Sequence, residues 1–474
     1  MTTHYPPSRP GRLLWPTLLI ALFGFFPVAR AQNVVVPPVK FTARTLANGL
    51  KVYAVEDHSS PTVAIQMWYH VGSKDDPEGR SGFAHLFEHI MFKSTKNMKS
   101  EMLDRLTEDV GGSNNAFTAD DVTVYYETVP ANYLETLLWA EAERLGSLVV
   151  DDANFKSERD VVKEEFRQNY LANPYGRLYL AIARRSFVAH PYRRPGIGNI
   201  EELDAATLEN VRAFHSTYYR PDNVTLVVAG DFATKDFDGW VDKYFGRVPK
   251  PDAPLPRVSV KEPARAAEKK YTEYAPNVPL PAVALTYLAP PEASADAAPL
   301  KVATAILSGG ESSRLYRALV YEQQVAQSAE AEADLREDTG LLIVQAVAAG
   351  GKKIENVEPA LVAEIKRLQD APPTEAELAK AKNQLLTKEL TERETNLGKA
   401  LALGNAAVLL GDSNRVNTEI SELQAVTAAD VQRVIAKYLT PANRVVINYL
   451  PEAKKDDGGA KSSGAGAAAP REGR

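Results

Sequence analysis

Apolar and polar positions follow two rhythms along this chain, a period of two and a period near 3.6, and their alternation predicts its elements. Thr45-Leu46-Ala47-Asn48-Gly49-Leu50-Lys51-Val52 places an Asn-Gly pair between strand-like runs, a hairpin signal. Val63–Tyr69 and Val122–Val129 are rich in β-branched and aromatic residues and predict strands. Helical spacing occupies 83–96, 99–110, 132–147 and 152–171. Further on, a helical stretch at 206–218 leads through Pro221 into an apolar strand at 223–230.

The pattern then repeats. Pro61-Thr62-Val63-Ala64-Ile65 resembles Pro281-Ala282-Val283-Ala284-Leu285, an offset of 220 residues. Thr207, Val211, Tyr218, Pro221 and Asn223 match Thr427, Val431, Tyr438, Pro441 and Asn443 at the same offset. The second set again joins a helical stretch (426–438) through a proline to an apolar strand (443–450). Two matches at one offset predict two homologous halves, each a mixed α/β sheet, so the fold class is α+β twice over. The N-terminal domain is expected at 32–250 and its homologue at 269–452. Asp252–Pro263, with three prolines, marks a linker within 251–268. The Gly/Ala/Ser-rich residues 453–474 have nothing to pack and read as a disordered tail.

The N-terminus departs from both rhythms. Arg9 and Arg12 precede a mostly apolar stretch, Leu13–Val28, and Ala29-Arg30-Ala31 offers small residues at the positions a signal peptidase reads. Residues 1–31 therefore read as a secretory signal peptide. A retained membrane anchor is the alternative, but Pro16 and Pro27 interrupt a stretch already short for a span. The expected location is outside the inner membrane, in the periplasm, without a stable anchor. Removing the segment takes away three arginines and no acid, which moves the net charge from −6 to −9. No basic run is left to suit nucleic acid.

Composition narrows the chemistry. The 474 residues include no cysteine, which excludes disulfides, thiol nucleophiles and cysteine-ligated metal. A metal site must come from Asp, Glu and the seven histidines. His85-Leu86-Phe87-Glu88-His89 lies in a helical stretch for which Ser81 is a candidate N-cap. Positions i, i+3 and i+4 share a helix face, so His85, Glu88 and His89 project together. Two imidazoles one turn apart can grip one Zn²⁺, with a carboxylate between them to reach a water. By chance such a cluster arises in a chain like this about once in a hundred.

A hydrolytic zinc site ordinarily uses a third protein ligand. The remaining histidines are scattered, so a carboxylate is expected, and Ser157–Phe166 is the richest helical candidate. Glu158 and Glu165, two turns apart, share a face with Val162, whereas Glu164 points about 100° away from Glu165. Taken alone, an acid-rich helix is more often a solvated face.

In combination these motifs resemble the pitrilysin/insulinase-type (M16) zinc peptidases. The inverted His-x-x-Glu-His motif is followed 76 residues later by the helical Glu165, within Glu158-Arg159-Asp160-Val161-Val162-Lys163-Glu164-Glu165. Gly112-Ser113-Asn114-Asn115-Ala116-Phe117-Thr118 resembles the family's substrate-binding edge strand. The resemblance spans nearly the whole mature chain and is strongest to the short bacterial and processing-peptidase branch, in which two-domain chains pair as halves of a clamshell. It implies one Zn²⁺ per chain, held by His85, His89 and Glu165, with Glu88 as general base. It implies Glu158 as a carboxylate orienting a ligand histidine, and Asn115, Ala116 and Phe117 as holders of an extended peptide. The implied activity is a metalloendopeptidase acting on peptides or unfolded segments in a closed chamber. The alternative is a catalytically weak peptide-binding scaffold, or a chaperone-like subunit of a larger complex.

The 220-residue offset maps His85, Glu88, His89 and Glu165 onto Ala305, Ser308, Gly309 and Leu385, so the second half carries no such site. Gly309-Gly310-Glu311-Ser312-Ser313-Arg314-Leu315-Tyr316 resembles a Gly-rich family segment. Self-sufficient members follow it with an Arg and a Tyr seven residues apart. In that register this chain has Val320 and Gln327. The resemblance thus implies a related zinc-less partner that supplies the pair in a heterodimer. A register slip that uses Arg314 and Tyr321 instead is the competing reading.

Overall fold

The computed structural model describes residues 36–452; the expected signal peptide and tail lie outside the described residues. The strands are β1 (Thr42–Thr45), β2 (Lys51–Glu56), β3 (Thr62–Tyr69), β4 (Ser113–Thr118), β5 (Thr123–Pro130), β6 (Val224–Gly230), β7 (Lys269–Ala275), β8 (Ala282–Ala289), β9 (Ala326–Asp334), β10 (Gly340–Ala348) and β11 (Arg444–Pro451). They form two sheets, ordered β1-β2-β6-β3-β5-β4 and β7-β11-β8-β10-β9. Apart from β1, the orders correspond strand for strand. Each sheet has one parallel pair, β2 with β6 and β7 with β11, among antiparallel neighbours. The helices Leu208–Tyr218 and Ala428–Tyr438 also stand 220 apart, each opened by a threonine capping box, Thr207 with Asn210 and Thr427 with Asp430. Two mixed α/β sheets, homologous in strand order, make up the architecture. Residues 249–268 between them contain no helix or strand.

Both faces of each sheet are covered, which is why β6 is buried along its full length and reads as an unbroken apolar run. On one face of the first sheet, Ile65, Met67, Tyr69 and Tyr125 pack against helices of the same half. On the other, Trp68, Val124, Val227 and Ala229 pack against Ala400, Leu403 and Ala406 of the helix Asn396–Val408. That helix comes from the second half. The reverse also holds: Leu178, Ala181 and Ile182 of the helix Gly176–Ser186 cover Ala284, Ile447 and Tyr449 of the second sheet. The two helices start 220 residues apart, so the halves exchange equivalent elements. Close approach requires Gly404, where a Cβ would lie 2.2 Å from the Trp68 ring.

Candidate metal centre

The motif helix spans Phe83–Ile90 and is shorter than the 83–96 expected from its spacing. The chain turns away because Ser94 accepts from the Val149 N–H and Thr95 bridges to Leu148. Phe83, Leu86, Phe87 and Ile90 are wholly buried at helical spacing, which turns His85, Glu88 and His89 to the opposite, half-buried side. Ser81 is not the cap. Gly82 is the N-cap, in the left-handed region at φ 92°, and Asp76 supplies the acceptors. Its two carboxyl oxygens accept from the N–H groups of Gly82 at 2.6 Å and Ala84 at 2.9 Å. Burial pushes the Asp76 carboxyl up to about 7 against the pull of those two donors. From below, Tyr125 donates to the Phe87 carbonyl at 3.1 Å, which ties the helix to β5.

The second acid helix, Asp152–Phe166, is capped by Asp151, whose side chain accepts from the Asn154 N–H. Phe155, Glu158, Val162 and Phe166 make its buried face, so Glu158 is an inward carboxylate rather than a solvated one. Glu164 faces solvent and pairs with Arg167, as its 100° displacement requires. Glu165 completes the convergence: its Oε2 lies 3.7 Å from His85 Nε2 and 3.5 Å from His89 Nε2. Among the described residues, His85, His89 and Glu165 form the group of potential ligands, with one atom of each within 4.8 Å of the others. The 3.5 and 3.7 Å separations leave one carboxylate oxygen beside both imidazoles, so the donor chemistry fits a zinc ion, which His85, His89 and Glu165 would hold.

Electrostatics separates the two histidines. Burial first, and then neighbouring His89, holds His85 down at about 4. Burial also disfavours the His89 cation, but Glu158 and Glu165 outweigh it and lift that ring to about 9. Glu158 stands 3.7 Å from His89 Nδ1, and its other oxygen accepts from Lys93 Nζ at 2.8 Å. Burial would raise Glu158, yet the facing His89 ring and Lys93 hold it down at about 2. Glu88 is raised by burial, with Thr118 pulling it partway back. Asp76, Thr118, Lys93 and Tyr125 therefore serve the site although no motif marks their roles; Thr118 does close the Gly112–Thr118 segment singled out in the sequence.

That segment forms β4, which among the described residues pairs only with β5 and leaves its outer edge unpaired. Ala116 packs toward the motif-helix side, whereas Asn115 and Phe117 point to the other face. There Phe117 meets Trp68 edge-on at 6.4 Å. In the second half, Ala305 and Ser308 end a helix, and the Ser308 hydroxyl donates to the Ala331 carbonyl. Arg314 forms a two-pronged pair with Glu377 at 2.7 and 3.0 Å, while Tyr321 is 75% exposed.

Fold and site together define a class, a duplicated α/β protein with an inverted two-histidine, one-glutamate centre in its first half. Comparison with known proteins agrees. The family described as "Insulinase (Peptidase family M16)" matches residues 51–192, and "Peptidase M16 inactive domain" matches 205–385. The chain belongs to the M16 peptidase family. Among its relatives, the zinc protease PqqE of Helicobacter pylori is 32% identical over 72% of this chain and 78% of that protein. A probable mitochondrial-processing peptidase subunit beta of Arabidopsis thaliana is 24% identical over 87% and 79%. A crystal structure of a protease from Helicobacter pylori superposes with a TM-score of 0.84 at 28% identity, covering 88% of this chain and all of that one.

Proposed function

We propose that this chain is a zinc-dependent metalloendopeptidase whose centre is held by His85, His89 and Glu165. The observation that carries the reading is the convergence of those three donors, with Glu88 on the same helix face, beside the free edge of β4. Zinc bound there would supply Lewis acidity, polarising a peptide carbonyl and easing deprotonation of water. Glu88 accepts the proton of the attacking water at a carboxyl oxygen and passes it to the departing amide nitrogen. Burial raises its affinity for protons, which favours its role as the proton acceptor. Glu158, fixed by Lys93, orients the His89 ring. The edge of β4 takes an extended peptide by strand addition, reading its backbone, with Asn115, Ala116 and Phe117 disposed to alternate faces.

We infer further that a related zinc-less chain completes the working enzyme around a closed chamber. Val320 and Gln327 occupy the register where self-sufficient relatives have Arg and Tyr. Of the competing residues, Arg314 is already engaged by Glu377, which supports a partner over a register slip. Periplasmic delivery rests on residues 1–31. No helix of the described residues is long and apolar enough to cross a membrane.

Metal analysis with a Glu88→Gln comparison tests the core reading. Zinc is retained and peptide hydrolysis falls by roughly 10²–10⁴. Unchanged hydrolysis in that variant, or peptide binding without any hydrolysis in the parent and its native complex, favours the scaffold instead.

A further inference from the structure

Away from the zinc ligands, a cluster of buried charge joins the two halves. Lys74 is 6% exposed, and its ammonium meets three carboxylates: Asp121 at 2.9 Å, Glu337 at 2.5 Å and Asp338 at 3.1 Å. Asp121 belongs to the β4–β5 turn, whereas Glu337 and Asp338 lie in the β9–β10 turn of the second half. Burial disfavours the ammonium, but Asp121 and Glu337 outweigh it and raise its pKa. The contact is reinforced on both sides. Arg336 meets Asp120 at 3.0 Å and lies over the Tyr192 ring, and the Glu337 N–H donates to Asp121. A lysine buried against three acids, two of which also face His70 and His190, is costly to assemble for stability alone, because desolvation consumes much of the Coulomb gain.

What the cluster grips is the segment Gly72–Asp76. The Lys74 N–H donates to the Asp120 carbonyl at 3.0 Å, and the Ser73 hydroxyl donates to the Asp120 carboxylate at 2.6 Å. Gly72 lies so close that a Cβ there would sit 2.4 Å from the Asp120 carbonyl carbon. Two residues beyond Lys74, Asp76 caps the motif helix. Two residues before Asp120, Thr118 ends β4 beside Glu88. One clamped segment therefore sets both the start of the histidine-bearing helix and the end of the edge strand.

We propose that the turn Arg336–Asp338 of the second half is a positioning element of the metal centre, acting through Lys74 on the Asp76 cap of the motif helix. The half without ligands thereby holds the ligands of the other in register. The inference rests on the reading of His85, His89 and Glu165 as zinc ligands.

The test uses the full chain carrying Lys74→Met, Lys74→Arg, or Glu337→Gln with Asp338→Asn. Zinc affinity is measured by chelator competition, and hydrogen exchange is followed at the Gly82 and Ala84 amides. Lys74→Met and the paired second-half variant should weaken zinc about tenfold and speed exchange at both amides, while Lys74→Arg should stay near the parent. Should Lys74→Met fail to fold, the paired variant decides, since its two side chains are partly exposed. A lower melting temperature with unchanged zinc affinity and unchanged exchange overturns the proposal. A parent chain that binds no zinc overturns the ligand reading, and exchange at Gly82 and Ala84 in the paired variant still decides the clamp.

Discussion

At the scale of single residues, the clustering of the motif's side chains is local enough to read from spacing. His85, Glu88 and His89 share a face because three- and four-residue steps do so on any α-helix. Glu165 was one of several acids in its helix, singled out by the family resemblance, and it is the one that lies beside both imidazoles where that helix packs against the motif helix. His215 shows what spacing does not reveal. It stacks between Phe87 and Tyr219, at ring separations of 5.5 and 5.4 Å, with its Nε2 buried and unpartnered. Burial holds it down at about 4, below the usual 6.5 of an unfolded chain. Between pH 6.5 and 4 the unfolded chain therefore binds a proton that the folded one refuses, and stability drops as pH falls through that window. The loss is on the order of 3 kcal/mol at its limit. Thermal melts at pH 7.5 and 5.0 should show a larger drop for the parent than for His215→Phe; equal drops would refute this assignment.

At the scale of elements, capping boxes, proline entries and alternating runs made the repeated helix–strand units legible, since each is specified by neighbours a few residues away. The motif helix was legible in existence but not at its ends. Its cap comes from Asp76, six residues ahead of Gly82 and outside any helical period, and its stop from the bridge to Leu148, which is set by folding. Close packing between elements was also hidden. Gly404 sits within a helix, where glycine is ordinarily unfavourable, because the Trp68 ring occupies the space of a side chain. Gly404→Ala should lower stability by about 1–3 kcal/mol despite the better helix propensity of alanine. Denaturant unfolding measures the change, and a gain in stability would contradict the packing argument.

At the scale of the molecule, the exchange of helices makes neither half self-contained. A chain ending at residue 250 would leave the Trp68, Val124, Val227 and Ala229 face without the Asn396–Val408 helix. Such a fragment should be insoluble or aggregate, and co-expression with residues 251–452 should recover soluble, cooperatively unfolding protein; sedimentation and circular dichroism read both outcomes. A soluble, monomeric, cooperatively folded fragment would show that the exchange is dispensable.

The sequence by itself determined the duplication, the α+β class, the all-His/Glu donor set and the absence of those donors from the second half. These depend on residue identity and short-range spacing. Tertiary structure decided which glutamate joins the histidines, what caps the motif helix, and that the second half reaches into the first through Lys74. The physical reason is distance along the chain. His70 meets Glu337 across 267 positions and Lys74 meets it across 263, and no local periodicity encodes a contact that forms only after two sheets have packed.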